Sequence, residues 1–272
     1  MLSYSIYNLG PVLIRLKICI LNSGSSANST LISSGKTNIL LDAGLSGKET
    51  SRRLAGFGTE GRHIQGLLVS HGHRDHINGI GVLARRFDIP VYMNKKTSEE
   101  IGETIGKIPV EHHIRTGSSF MIGDVEIETF SVSHDCLDPM GFVFKNGGKS
   151  AAYLTDLGRV TEQILKKIHN RNLIVLESNH DLNMLINGPY PEMLKRRILG
   201  PEGHLSNIAS ANALVDAIGS RTEHVVLAHL SENNNRPELV RSTVEEILAE
   251  ESMSDIPIEI ASRYEAMDAI EL

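Results

Sequence analysis

Short apolar runs closed by polar or glycine-bearing turns recur along the first two thirds of the chain, the pattern of buried strands joined by tight loops. Leu16–Leu21 is the first such run, followed by the polar turn Asn22–Ser29. Thr30–Ser33 and Asn38–Leu41 read as a hairpin ending in Asp42-Ala43-Gly44, and Gly66–Val69 and Asp88–Met93 as further strands. The segments Ser119–Ile122, Val125–Val132, Gly141–Lys145 and Ser150–Leu154 follow, with Gly147-Gly148 supplying a tight hairpin between the last two. Between and after these the period lengthens to that of helices. Ile77, Ile80, Leu83 and Phe87 fit one helix, Ser98–Ile105 a second, and Val160, Ile164, Leu165 and Ile168 a third. A strand over Asn172–Leu176, a helix, and a helix carrying Ile208, Ala211, Val215 and Ile218 come next. Then follow a strand at His224–Ala228, a helix opened by Pro237 and a final strand at Ile256–Ile260. Pro237 suits a first helical turn, and Leu239, Val240, Val244, Ile247 and Leu248 form that helix's apolar stripe. Two β-rich halves with helices after their strands predict two packed sheets covered by helices, an α/β architecture. No repeat, low-complexity tract or linker divides the chain, so a single domain is expected over residues 16–272, with residues 1–15 as an N-terminal extension.

Composition narrows this only slightly. A chain of 272 residues with 40% apolar and 22% charged positions has material for a sizeable core. Its net charge of −6 means that attraction for a polyanion must come from a local patch or from bound cations. With only Cys19 and Cys136, a disulfide framework is excluded and a reducing compartment is expected. The run Pro11–Leu21 is interrupted by Arg15 and Lys17 and is shorter than the roughly 20 residues of a membrane span. It also lacks the layout of a signal peptide. A cytoplasmic protein without membrane attachment is the expectation.

The chemistry concentrates at Ser70-His71-Gly72-His73-Arg74-Asp75-His76, directly after the apolar run Gly66–Val69. His71 and His73 are two apart and can face one point from an extended loop. Asp75 and His76, at the start of a helix, can face a second. Imidazole nitrogens and a carboxylate so arranged suit two divalent cations, Zn²⁺ or Mn²⁺. Further donors stand at other strand ends: His134 after Val125–Val132, Asp156 after Ser150–Leu154, and His229 after His224–Ala228. His134 would complete the first centre and His229 the second, with the two carboxylate oxygens of Asp156 shared between them. Asp42, also at a strand end, either orients one of the histidines or caps the helix after it. Ser25 and Ser26, in the polar turn, either offer hydroxyls to an anionic substrate or simply join two strands.

This ligand set resembles that of the metallo-β-lactamase superfamily, and the resemblance runs from about Lys17 to the C-terminus. It implies an αββα four-layer sandwich. An aspartate at 156, where many true β-lactamases place a cysteine, is similar to the phosphodiesterase and glyoxalase II branches. Leu176-Glu177-Ser178-Asn179-His180-Asp181, Gly203-His204-Leu205-Ser206-Asn207 and Ala228-His229-Leu230-Ser231-Glu232-Asn233-Asn234-Asn235 resemble the YycJ/WalJ group. That group is related to ribonuclease Z and to the cyclic phosphodiesterase PhnP. The resemblance implies phosphodiester hydrolysis through a metal-bridged hydroxide, with 5′-to-3′ exonuclease action and nucleic acid, DNA rather than RNA, as the partner.

Within that scheme Asp75 is both ligand and catalytic residue, and His204, just before a helix, is the candidate proton donor to the leaving oxygen. Glu177 would orient His204 and keep it protonated; the alternative is that His204 only caps the helix. The ribonuclease Z resemblance favours the catalytic role. Lys195, Arg196 and Arg197 are candidate phosphate contacts, Tyr190 a stacking platform for a base, and His180 a substrate or supporting contact. His63, His112, His113, His169 and His224 are expected at the surface without partners. Competing readings are a PhnP-like cyclic phosphodiesterase, a glyoxalase II-like thioesterase, which would need a helical C-terminal domain, and a metal-bound regulatory module.

Overall fold

Runs such as Leu173–Glu177 and His224–Ala228 are apolar at nearly every position because helices cover one face of their sheet and a second sheet covers the other. The computed structural model describes residues 15–272, so the extension expected over residues 1–15 lies, but for Arg15, outside the described residues. Strands β1 (Leu16–Asn22), β2 (Ser29–Ser34), β3 (Thr37–Leu41), β4 (Gly66–Leu68), β5 (Val91–Asn94) and β6 (Glu111–Ile114) belong to one sheet. Strands β7 (Ser119–Ile122), β8 (Val125–Ser131), β9 (Met140–Asn146), β10 (Lys149–Leu154), β11 (Leu173–Glu177), β12 (His224–Ala228) and β13 (Ile258–Ile260) form the other. A short β14 (Ile270–Glu271) returns to the first sheet and pairs antiparallel with β1. The spatial orders are β14-β1-β2-β3-β4-β5-β6 and β13-β12-β11-β10-β9-β8-β7.

Three apolar layers separate four structural ones. Ile18, Ile20, Ile39, Phe142, Phe144, Tyr153 and Val175 fill the space between the sheets. On the outer face of the first sheet, Leu21, Leu40 and Leu67 pack with Leu54 of α1 (Gly47–Gly56) and with Leu83 of α3 (Ile80–Phe87). On the outer face of the second, Leu154, Ile174 and Leu227 meet α5 (Glu162–Ile168), α8 (Asn207–Ala217) and α9 (Pro237–Glu250). Successive residues of one strand serve different layers, as the two-residue period requires: Leu173 and Val175 face inward, Ile174 and Leu176 outward. This is the αββα sandwich expected from the sequence.

Strands β3 to β6 run parallel, as do β10 to β13, so their carboxyl ends gather along one edge of each sheet. In α/β sheets that edge is where loops build sites.

Several details depart from the sequence reading. The helix expected around Ile77–Phe87 is broken into α2 (Arg74–Ile77) and α3, and α4 begins early, at Lys95–Ile101, capped by Asn94. Between β11 and α8 there are two short helices rather than one, α6 (Leu182–Asn187) and α7 (Glu192–Leu199). Ile208 is exposed and Ile218 lies beyond α8, whose buried face is Ser210, Ala211, Leu214 and Ala217. Strands β6 and β14 were not anticipated: both are short sheet edges, and β6 is exposed for three of its four residues.

Candidate metal centre

The candidate ligands sit in loops past the carboxyl ends of strands, except Asp75 and His76, which lie in α2. His71 and His73 follow β4, His134 follows β8, Asp156 follows β10 and His229 follows β12. Asp42, Asp156 and His229 all adopt positive φ, at 55°, 59° and 57°. Non-glycine residues pay for that backbone only where the surrounding structure imposes it, and such strain collects at functional sites. At these positions the strand must turn sharply while its side chain stays aimed over the sheet edge.

The histidine-rich loop is held from below. Asp42 accepts hydrogen bonds from the Ser70 backbone N–H (2.8 Å) and from Ser70 Oγ (2.7 Å), and its Oδ2 lies 2.8 Å from His76 Nδ1. Asp42 therefore orients His76, while Ser46 caps the following helix. Asn28, which reads in the sequence only as part of a turn, donates its backbone N–H to Asp75 O (2.7 Å) and its side-chain amide to Asp75 Oδ2 (3.1 Å). Gly44 passes so close to this loop that a Cβ there would lie 1.6 Å from Asp75 O.

The donors converge in two groups. His71, His73 and His134 form one, and Asp75, His76, Asp156 and His229 the other, each with ligand atoms within 4.8 Å of one another. Asp156 stands between them: its Oδ2 lies 3.2 Å from His76 Nε2, and its Oδ1 lies 3.4 Å from His229 Nε2 and 3.8 Å from His134 Nε2. Donors about 2.1 Å from a common cation are separated by distances of this size. His71 Nε2, Asp156 Oδ2 and His229 Nε2 are buried and make no hydrogen bond within the protein. Buried polar atoms left without a partner are costly, and a cation answers all three. The residues fit divalent metal ions, and the mixed nitrogen and oxygen donors suit Zn²⁺ or Mn²⁺.

The electrostatics follow from burial and crowding. Burial, then the neighbouring His76, pushes the His71 imidazole well below its usual range, and burial lowers His134 as well. Burial alone would raise the Asp156 carboxyl, but His229 and His76 beside it hold it well below the ordinary value. His76 and His229 move upward, against their own burial, because Asp156 and Asp75 face them. Buried Glu177 supports these groups from beneath: its Oε1 lies 2.9 Å from His204 Nδ1, and its Oε2 accepts the Asp156 and Leu157 backbone N–H groups. Against the effect of burial, Glu177 raises the His204 imidazole to about 9. The cap of α8 is Ser206, so His204 does not serve as the cap.

These groups open into a cavity of about 220 Å³ whose walls include Ser25, Tyr190, Arg197 and Ser231. The other sequence candidates lie elsewhere. Ser26 is exposed outside the cavity lining. Lys195 turns away, donating to Ile186 O at 2.7 Å, and Arg196 is exposed outside the lining, so only Arg197 of the three basic residues reaches the cavity. His180 is 1% exposed and does not line the cavity, so of its two expected roles this position fits the supporting contact. The remaining histidines are not partnerless: His63 accepts from the Glu60 N–H, His112 stacks on Tyr92, His113 meets Glu111, His169 meets Asp216 O, and His224 lies near Glu259.

Comparison with known proteins agrees with this geometry. The family described as the beta-lactamase superfamily domain matches residues 37–230. The chain is 42% identical over 237 residues to exodeoxyribonuclease YycJ of Bacillus anthracis, covering 86% of this chain and 90% of that one. It is 39% identical over 241 residues to exodeoxyribonuclease WalJ of Streptococcus pneumoniae, covering 87% and 90%. Among solved structures, the metallo-β-lactamase fold protein YhfI of Bacillus subtilis superposes with a TM-score of 0.74 at 16% identity, over 95% of this chain and 100% of that one. With its ligand groups, its sandwich and these relatives, the chain belongs to the metallo-β-lactamase superfamily of metal-dependent hydrolases, alongside YycJ and WalJ.

Proposed function

We propose that this protein is a 5′-to-3′ exodeoxyribonuclease that works with two divalent cations, one held by His71, His73 and His134, the other by Asp75, His76 and His229, with Asp156 shared. The observation that carries the reading is the meeting of both donor groups and the raised His204 imidazole in one open cavity. Divalent cations bound there supply Lewis acidity toward a phosphoryl oxygen and a water of lowered pKa.

The chain's own groups supply the rest. His204, protonated at neutral pH and 21% exposed at its side chain, gives a proton to the departing oxygen from Nε2. Glu177 fixes the ring by accepting the Nδ1–H, which leaves the Nε2–H free for the transfer. Arg197 offers a charged donor to a backbone phosphate, and Ser25 a hydroxyl, on the cavity wall. Tyr190, whose hydroxyl accepts from Asn233 Nδ2 at 2.9 Å, presents its ring to a base at the rim. DNA as substrate is supported by the names of the YycJ and WalJ relatives. A cytoplasmic location fits two free cysteines, and no helix among the described residues is long and apolar enough to cross a membrane.

The names of the YycJ and WalJ relatives favour this reading over a thioesterase of the glyoxalase II kind. The test incubates cation-loaded protein with 5′-phosphorylated and 5′-hydroxyl DNA and RNA, with bis-p-nitrophenyl phosphate as control. Stepwise release of nucleotides from the 5′ end of DNA is expected, with Asp75→Ala folded but inactive. A loaded protein that cleaves none of these removes the reading, and a variant that keeps a binding partner without turnover would instead mark a regulatory module.

A further inference from the structure

Each imidazole at the centre has two ring nitrogens, and a metal-ligating histidine is aimed by what its second nitrogen meets. For His71 that partner is Ser70 Oγ, 3.0 Å from Nδ1; for His76 it is Asp42 Oδ2, 2.8 Å from Nδ1. For His134 it is Gly203 O, 3.2 Å from Nδ1. His73 is the exception. Its Nδ1 points at the other donors, 3.2 Å from His134 Nε2, and its ring is the most exposed of the trio. Its Nε2 faces Asp135 Oδ1 at 3.6 Å; the same oxygen lies 3.4 Å from His134 Nε2, whose other ring nitrogen already meets Gly203 O. That oxygen is buried and makes no hydrogen bond, although the other carboxylate oxygen is taken by Arg197 Nε.

We propose that Asp135 is a positioning residue for the metal centre: its Oδ1 accepts the Nε2–H of His73 and so presents Nδ1 to the cation, while Arg197 of α7 holds the carboxylate in place through Oδ2. A small rotation of the His73 ring closes the 3.6 Å gap to a hydrogen bond and gives the orphan oxygen its partner. Asp135 stands beside the trio of donors rather than among them, because the group whose ligand atoms lie mutually within 4.8 Å is His71, His73 and His134. Arg197 is thereby tied to the centre as well as to the cavity wall. The idea rests on reading these imidazoles as metal ligands, but not on the identity of the substrate.

The test is a cation titration rather than an assay of turnover. Chelator-stripped protein is titrated with Zn²⁺ against a chromophoric chelator, and Co²⁺-loaded protein is examined for its visible ligand-field bands. Asp135→Asn is expected to weaken one of two sites by about 10-fold or more and to shift the Co²⁺ bands. Asp135→Glu is expected to recover part of that affinity. Arg197→Gln, which frees Oδ2 but leaves Oδ1 to face His73, is expected to weaken the same site by a smaller factor than Asp135→Asn. Circular dichroism confirms that each variant is folded. Unchanged affinity and spectrum in Asp135→Asn would overturn the proposal, as would a loss in Arg197→Gln that exceeds the loss in Asp135→Asn, which would mean that the arginine acts on the centre by another route. A parent protein that binds no cation would overturn the metal reading itself, a result distinct from either.

Discussion

Glu177 and His204 meet at 2.9 Å, the carboxylate fully buried behind the cavity wall and the imidazole partly open to solvent. The pairing lifts the imidazole to about 9, so the protonated form is present at neutral pH and is lost as pH rises through that value. His204→Ala is expected to lower kcat by about 10²- to 10³-fold with cation content unchanged. Glu177→Gln is expected to move the alkaline limb of the kcat profile toward lower pH, because the carboxylate that raises His204 is gone. A limb that stays in place would show that another group sets it.

Chelation should reach beyond activity. The cations bind only the folded arrangement, so they stabilise it by mass action. At a hundredfold excess over Kd one site contributes about 2.7 kcal/mol, which for a chain of this size is roughly 5 °C or more in Tm. Differential scanning fluorimetry with and without EDTA, followed by Mn²⁺ or Zn²⁺ add-back, measures this. An unchanged Tm would mean that the buried donors find partners among themselves.

Gly44→Ala tests the loop's support. A Cβ at this position would meet Asp75 O at 1.6 Å and Asn28 N at 2.7 Å, both backbone atoms that cannot swing aside. A loss of about 1–3 kcal/mol is expected from the overpacking, with a fall in cation affinity because Asp75 must move. Urea unfolding and cation titration of the same variant check both.

Away from the site, Glu128 sits with Lys145 (2.9 Å) and Lys167. Partial burial opposes its ionisation, but the two ammonium groups outweigh that and bring the carboxyl to about 2. A carboxyl depressed on folding stabilises above its ordinary pKa, and that contribution fades as pH falls from about 4.5 toward 2. Glu128→Gln should therefore cost about 1 kcal/mol at pH 7, and the gap to the parent should close in acid. Urea midpoints across that range would show it.

What could be read from the chain alone depended on how local each signal was. His71, His73, Asp75 and His76 share six residues, and His134, Asp156 and His229 each close an apolar run, so the strand pattern that revealed the sandwich also located the donors. Strands β6 and β14 escaped because edge strands need no apolar face. Lys195, Arg196 and Arg197 looked like one basic patch, but consecutive residues on a helix point about 100° apart, and only one can face the cavity. Asn28, and Asp135 on the role proposed for it, carry no signal in the sequence because a lone polar side chain acquires its surroundings from a neighbour distant in sequence, Asp75 for one and His73 for the other.

The donors come from both sheets: the histidine-rich loop from the first, and His134, Asp156 and His229 from the second. A chain still emerging from the ribosome thus carries no finished set until β12 and the residue after it have been made and the halves have closed on one another. On the proposed ligand set, a fragment that stops short of His229 lacks one donor of the second group and has no complete centre to work with.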